Sequence, residues 1–470
     1  MRHWNRRKPV ELDALGAEHR LVPTLSWWHL TALGVGAIVG TGIYTLVGVG
    51  ANLAGPSVIL SFAVAGLICA CAALCYAEVA TAIPASGSAY TYSYVVIGEL
   101  VAWIIGWSLI LEYSLVVSAV AVGWSGYVNG FLSGVGLHLP PTIALAPHAG
   151  GVINLPAVFI VFLVAGMLAL GTRESATVNA VLVVVKIVAL ALFVAVALPH
   201  FDLGRFQPFM PYGFIAHDVE GTQRGVMAAA AIIFFAFYGF DAISTAAEET
   251  KKPERDLPIS IVGSMAICTL IYVGVAAAAV GSMSYLEYAN SAEPLALILR
   301  RLGQGSVAVM IGAAAVVALP TVILAFLFGQ SRIFFVMARD NLLPRSLAKV
   351  SARTGAPVRI TMATAVLVGI LAGLVPLDAI AALANAGTLA AFIAVAVCML
   401  LMRRRDPQAN RRFSVPLPWV VGPLAILGCL YLFWSLPIQT RLFFLGWNVL
   451  GLIVYAALSR GSGKAPPSPD

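Results

Sequence analysis

Charge is what this sequence most lacks: Lys, Arg, Asp and Glu make up 10% of its 470 residues, against roughly 25% in an ordinary soluble domain. That shortage excludes a water-soluble globule. Cysteine is scarce too, and the six present (Cys69, Cys71, Cys75, Cys268, Cys398 and Cys429) fall inside or beside apolar runs, without the loop spacing of a disulfide framework. They read as packing residues. The seven histidines show no ligand spacing, so neither a metal site nor a cofactor is expected. The first 24 residues are polar and charged, lack a cleavage-like small-residue pattern and lead into a full-length span. No cleaved signal peptide is expected.

Apolar residues are abundant, at 60% of the chain. Twelve bilayer-spanning helices at about 20 residues each need about 240 residues, which this supply covers. Apolar runs between charged or Pro/Gly-marked breaks lie near 27–51, 56–82, 100–131, 153–171, 176–198 and 224–247 in the first half. In the second half they lie near 257–281, 306–337, 359–375, 379–402, 416–436 and 440–459. The stretch from Ile83 to Gly98 is too short and too polar to span, and reads as an interfacial or re-entrant segment. The net charge of +7 matters through its distribution. With the N-terminus in the cytoplasm, 22 Lys and Arg fall on the inner side and five on the outer, while Lys186 lies within a span. That asymmetry places both termini in the cytoplasm and supports an even span count. It also makes the positive charge a matter of topology rather than of nucleic-acid binding.

Span 1 carries Gly34-Val35-Gly36-Ala37-Ile38-Val39-Gly40-Thr41-Gly42-Ile43-Tyr44, and span 6 carries Phe234-Phe235-Ala236-Phe237-Tyr238-Gly239-Phe240-Asp241. Either glycine pattern alone is compatible with close helix packing. The pairing is stronger, because spans 1 and 6 each open a five-helix half when the first ten spans are divided 1–5 and 6–10. Five is odd, so the halves enter the membrane from opposite sides. Interrupted helices at matching places in two inverted halves are the best sequence pointer to a transporter's binding site. Unwinding exposes amides that favour a carboxylate and carbonyls that accept from an ammonium, which suits a zwitterion. Both breaks fall near mid-membrane, ~20 Å and ~22 Å from the starts of their spans at about 1.5 Å rise per residue.

Two ionisable residues lie deep in apolar surroundings, Lys186 at ~15 Å and Glu112 at ~18 Å by the same rise. A charge at a helix centre costs roughly 2.5–3.5 kcal/mol on the lenient insertion scale, so Lys186 needs a partner. It is either a reversibly protonated group or a permanent structural clamp. A direct Glu112–Lys186 pair is compatible with the depths, although one sequence does not fix which faces oppose. Glu78, near the inner end of span 2, reads as reaching the interface, and Asp241 as a cap for the second half of span 6.

Gly34 to Tyr44, Tyr76-Ala77-Glu78 with Pro84-Ala85-Ser86-Gly87-Ser88, Phe235 to Asp241 with Glu248-Glu249, and Ser331-Arg332 through Arg339-Asp340-Asn341-Leu342-Leu343-Pro344 form a familiar combination. Together they resemble the amino acid/polyamine/organocation permeases, and most of all bacterial members of the cationic amino acid transporter family. The resemblance covers nearly the whole chain. It implies an all-α polytopic membrane protein of 12 transmembrane helices, a five-plus-five inverted repeat (LeuT-like) with two peripheral helices. The chain then divides into a cytoplasmic segment (1–26), a first repeat with helices 1–5 (27–198) and an extracellular loop (199–223). A second repeat with helices 6–10 follows (224–402), then a cytoplasmic loop with helices 11 and 12 (403–459) and a cytoplasmic tail (460–470).

The resemblance also implies site residues. The substrate carboxylate would meet backbone amides at Thr41 and Gly42, and its amine the carbonyls of Ile38, Phe235, Ala236 and Tyr238. Lys186 matches the helix 5 lysine that, in proton-coupled relatives, occupies the place of a sodium ion in sodium-coupled ones. Glu112 matches a helix 3 acid near the same pocket. Ile323, beside Pro320-Thr321-Val322, stands where cation-accepting relatives tend to have a smaller or more polar side chain. An apolar wall disfavours an unpaired charge, which points to small neutral amino acids such as alanine, with lysine or arginine as the alternative.

The expectation is therefore a secondary transporter of the inner membrane that imports an L-amino acid with a proton, Lys186 and Glu112 serving the coupling. An exchanger without proton coupling, using Lys186 as a fixed charge, is the rival within transport, and a receptor that binds without moving its ligand is another. A membrane enzyme would need paired histidines, a metal motif or an activated nucleophile, none of which is evident in the sequence. The expected partners are an L-amino acid, protons and the lipid bilayer, with no nucleic acid; oligomeric state is not encoded legibly.

Overall fold

The computed structural model describes residues 7, 25–85, 87–170, 175–219, 221–289, 291–344, 358–409 and 411–461. The expected N-terminal segment 1–26 and tail 460–470 fall mostly outside these. Apolar surroundings leave a backbone no solvent to bond with, so each segment satisfies its own N–H and C=O groups by coiling into helix. The first apolar run forms α1 (Trp27–Ile38), α2 (Thr41–Tyr44) and α3 (Leu46–Ala54), and the second forms α4 (Val58–Ala82). The Ile83–Gly98 stretch contains the short α5 (Ser88–Val96), almost entirely buried. Next come α6 (Glu99–Gly134), α7 (Pro141–Ala144), α8 (Leu155–Leu170) and α9 (Ser175–Ala197). A two-stranded antiparallel hairpin, β1 (His217–Val219) and β2 (Thr222–Arg224), precedes the second half, with His217 opposite Arg224.

The second half opens with α10 (Val226–Ile233) and α11 (Phe240–Thr245), then the 30-residue α12 (Pro253–Ser282). Short helices α13 (Tyr285–Tyr288) and α14 (Pro294–Arg301) lead to α15 (Gly305–Ala318) and α16 (Pro320–Arg339). The chain ends with α17 (Val358–Leu374), α18 (Leu377–Arg405), α19 (Pro418–Trp434) and α20 (Ile438–Gly461). By length and composition, eight helical segments among the described residues can cross a membrane: Leu46–Ala82, Glu99–Gly134, Asn179–His200, Val226–Thr245, Pro253–Ser282, Gly305–Arg339, Ile380–Arg405 and Ile438–Leu458. Three shorter apolar helices accompany them, Leu155–Ala169, Val358–Leu374 and Pro418–Trp434. The protein is an all-α, multi-pass membrane protein.

Its polarity is inverted relative to a soluble fold. Leu270, Trp434, Leu442, Phe443 and Leu445 lie on the outside, while Glu112, Lys186, Asp241, Gln330, Asn385 and Thr388 are buried. Lipid tails solvate the former, and only protein partners can satisfy the latter. Position in the bundle follows from this: 94% of the apolar window in Val226–Thr245 is buried, against 11% in Ile438–Leu458. The interrupted α10–α11 segment therefore sits at the centre, and α20 at the rim. Around that centre α1 packs against α9, α11, α12 and α16, while α6 packs against α16 and α18.

Candidate functional site

The first break begins where α1 ends at Ile38. Val39 adopts an extended conformation (φ −73°, ψ 94°), and the helix restarts at Thr41. The restart bonds Ile43 and Tyr44 N–H to the Gly40 carbonyl at 3.2 and 3.3 Å. The amides of Thr41 and Gly42 open the new helix and so have no carbonyl within it to bond. The Thr41 side chain lies outside the described set. A Cβ on Gly42 would come within 2.3 Å of Ala236 Cα, so only glycine lets the two breaks touch there.

Three carbonyls at the end of α1 are held by side chains from other helices. Lys186 on α9, fully buried, donates from Nζ to Gly36 O at 2.8 Å and Val39 O at 2.7 Å. The Tyr272 hydroxyl on α12 donates to Ile38 O at 2.6 Å. Lys186 thus finds its partners in the carbonyls at the end of α1 rather than in Glu112, because α9 lies against α1. Tyr127 adds a 2.6 Å hydrogen bond to Tyr44 O on the far side of the break.

The second break follows α10 as a tight turn over Phe234–Ala236, after which Gly239 takes φ +120°. A Cβ there would lie 2.9 Å from the carbonyl carbon of Ala37, so backbone conformation and close approach both require glycine. Asp241 caps the restart: Oδ1 accepts from Gly239 N–H at 2.9 Å, and Oδ2 accepts from the Tyr113 hydroxyl at 2.8 Å. This is the capping role expected of Asp241. At the other end of the break, Asn385 Nδ2 on α18 donates to Ala231 O at 2.7 Å and Ile232 O at 3.3 Å.

Phe235, Ala236 and Tyr238 are buried, with Phe235 edge-on to Tyr238 at 5.0 Å between ring centres. Tyr238 also meets Phe326 at 6.2 Å, and Phe326 meets Tyr113 at 5.0 Å. From α16 it is Val322 that faces the first break, since a Cβ on Gly40 would lie 2.9 Å from Val322 Cγ2. Ile323 is fully buried one position further along the same helix. Glu112 is buried, beside Thr388 and without an ion-pair partner among the described residues; a Cβ on Gly387 of α18 would stand 3.1 Å from its Cβ. The described contacts bring Ile38, Gly42, Phe235, Ala236, Tyr238 and Lys186 to the two breaks, and set Glu112 behind the second one.

Glu78 is buried rather than interfacial. It accepts from Arg403 Nε at 2.8 Å, Arg403 Nη2 at 2.5 Å and Val415 N–H at 2.7 Å, with Arg411 Nε at 3.3 Å. These contacts clamp α4 to α18 and the chain that follows, away from the breaks. Tyr272, Asn385 and Tyr113 escape a search of the sequence confined to charged residues; a polar side chain inside an apolar run is the signal that marks Asn385.

Residues 25–459 match the family described as amino acid permease. The chain is 45% identical over 465 residues to the branched-chain amino acid permease BcaP of Bacillus subtilis (strain 168), covering 98% of each chain. It is 41% identical over 459 residues to the methylthioribose transporter of the same organism, covering 97% of each. It is 36% identical over 413 residues to the vacuolar cationic amino acid transporter 4 of Arabidopsis thaliana, covering 86% of this chain and 67% of the relative. With two touching helix breaks at the heart of a polytopic bundle, the protein is a membrane transporter and not an enzyme, and the chain belongs to the amino acid permease family.

Proposed function

We propose that this protein is a proton-coupled symporter that imports neutral L-amino acids by alternating access. Its scaffold would be twelve crossings, repeats 27–198 and 224–402 in inverted orientation with two peripheral helices, both termini cytoplasmic. The carrying observation is the pair of helix breaks in direct contact. One break turns the amides of Thr41 and Gly42 toward the ligand's carboxylate. Carbonyls of Ile38, Phe235, Ala236 and Tyr238 surround its amine. Such a site reads the common part of every amino acid through backbone polarity, leaving the side chain to the apolar walls of Phe235, Val322, Ile323 and Phe326. Those walls favour small neutral side chains such as alanine, and the likeness to a chain named branched-chain amino acid permease extends the range to larger aliphatic ones.

Coupling runs through Lys186. As an ammonium it ties α9 to the end of α1; on losing its proton it surrenders most of that hold, and the first half of span 1 becomes free to move. Glu112 would serve as the second protonatable group. A second reading, transport of lysine or arginine, is favoured by the buried Glu112 carboxyl, which has no cationic partner among the described residues and could receive a cationic side chain.

Purified protein in empty liposomes, given an imposed pH gradient, tests the proposal. Uphill uptake of tritiated L-alanine is the expected outcome, whereas uptake only into amino-acid-loaded vesicles would establish exchange instead. Ile323→Ser should improve arginine binding; if it leaves arginine as weak as before, the wall at Ile323 does not set the preference for neutral substrates.

A further inference from the structure

Asn385 is fully buried in the apolar middle of α18. Its amide nitrogen meets Ala231 O and Ile232 O at the end of α10, and its Oδ1 has no hydrogen-bond partner among the described residues. Packing alone does not explain an asparagine there, because an apolar side chain would fill the space without an orphaned acceptor. Two and three residues further along the same helix, Gly387 packs on Glu112 and Thr388 stands beside its carboxyl. Asn385 therefore joins the carbonyl end of the second break to the level of the buried acid.

Its place mirrors that of Lys186. Lys186 lies in the fifth apolar run and holds the carbonyl end of the break in the first. Asn385 lies in the tenth and holds the carbonyl end of the break in the sixth. We infer that Asn385 is the positioning residue of the second break, the counterpart of Lys186 with no charge. By pinning Ala231 and Ile232 it fixes where the turn Phe234–Ala236 begins, and so aims the carbonyls of Phe235, Ala236 and Tyr238. An amide neither gains nor loses a proton in water, so this hold is itself constant through the cycle. The inference rests on the reading of the two breaks as an amino-acid site.

The test compares wild type, Asn385→Leu, Asn385→Ala and Lys186→Ala, each purified in detergent and reconstituted. Binding and uptake of tritiated L-alanine, L-leucine and L-arginine are measured across pH. Asn385→Leu keeps the number and branching of side-chain heavy atoms and removes the donor. It should weaken affinity for the preferred probe at least tenfold, while residual uptake keeps the wild-type pH profile; Lys186→Ala should flatten that profile. If leucine prevents folding, judged by size-exclusion profile, Asn385→Ala decides, because it removes the donor without adding bulk; the same tenfold loss is expected. Wild-type affinity in whichever folded variant is read overturns the inference, as does an altered pH profile in Asn385→Leu. A wild-type protein that binds none of the three probes sinks the reading of the site, and the inference with it.

Discussion

The two helix breaks are built from opposite chemistry. At the first, a lysine amine and a tyrosine hydroxyl hold the carbonyl end through Gly36, Ile38 and Val39, and the restarting helix opens on the amides of Thr41 and Gly42. At the second, a neutral amide holds the carbonyl end, and the restarting helix receives a carboxylate from its own sequence, Asp241. A helix N-terminus attracts anions. The protein fills one of its two central N-termini itself and leaves the other to its own backbone, so under the proposed reading a ligand's carboxylate would go to the first break.

The sharpest way to break this comparison is to force the breaks apart. Gly42→Val puts side-chain carbons onto Ala236 backbone that rotamer changes cannot relieve. Uptake should fall by about 100-fold or more, the usual penalty for a misplacement near 1 Å in a reactive or binding geometry. Gly239→Val should do the same from the other side; near-normal uptake by either would show that the contact is dispensable.

Lys186→Ala probes the asymmetry in charge. With one proton per substrate, a gradient of one pH unit supports at most about tenfold accumulation, equivalent to about 1.4 kcal/mol. The variant should show none of it while still exchanging labelled for unlabelled substrate. Gradient-driven accumulation equal to wild type would remove Lys186 from the coupling. Smaller effects test the supports. Tyr113→Phe takes one hydrogen bond from the Asp241 carboxylate, a loss of about 1.5 kcal/mol or roughly tenfold in substrate affinity if capping is tuned. Tyr272→Phe removes a neutral hydrogen bond to Ile38 O; about 0.5–1.5 kcal/mol corresponds to roughly two- to tenfold in affinity. Unchanged binding in Tyr272→Phe would mean that the Ile38 carbonyl keeps its direction unaided.

Composition and glycine spacing were enough to place the breaks, because membrane helices carry few other reasons for Gly40, Gly42 and Gly239 to sit at matching depths. The partner of Lys186 was not legible. Depth follows from residue count, but the direction in which a side chain points depends on which helices are neighbours, and α9 lies beside α1. Asn385 and Tyr272 were hidden for a different reason. Asparagine and tyrosine are tolerated in apolar runs for many purposes, and only the nearby carbonyls reveal theirs. Glu78 shows the reverse error: a carboxylate near a helix end looks solvated until Arg403 and Arg411, more than 300 positions later in the chain, fold over it.

A short pairing outside the membrane core has mechanical weight. Leu25 and Thr250 form a parallel bridge, and Lys251 N–H bonds Leu25 O at 2.8 Å. The lead into α1 is thereby stitched to the chain just past α11. Any displacement of one half-helix is thereby passed to the other through backbone rather than through side chains.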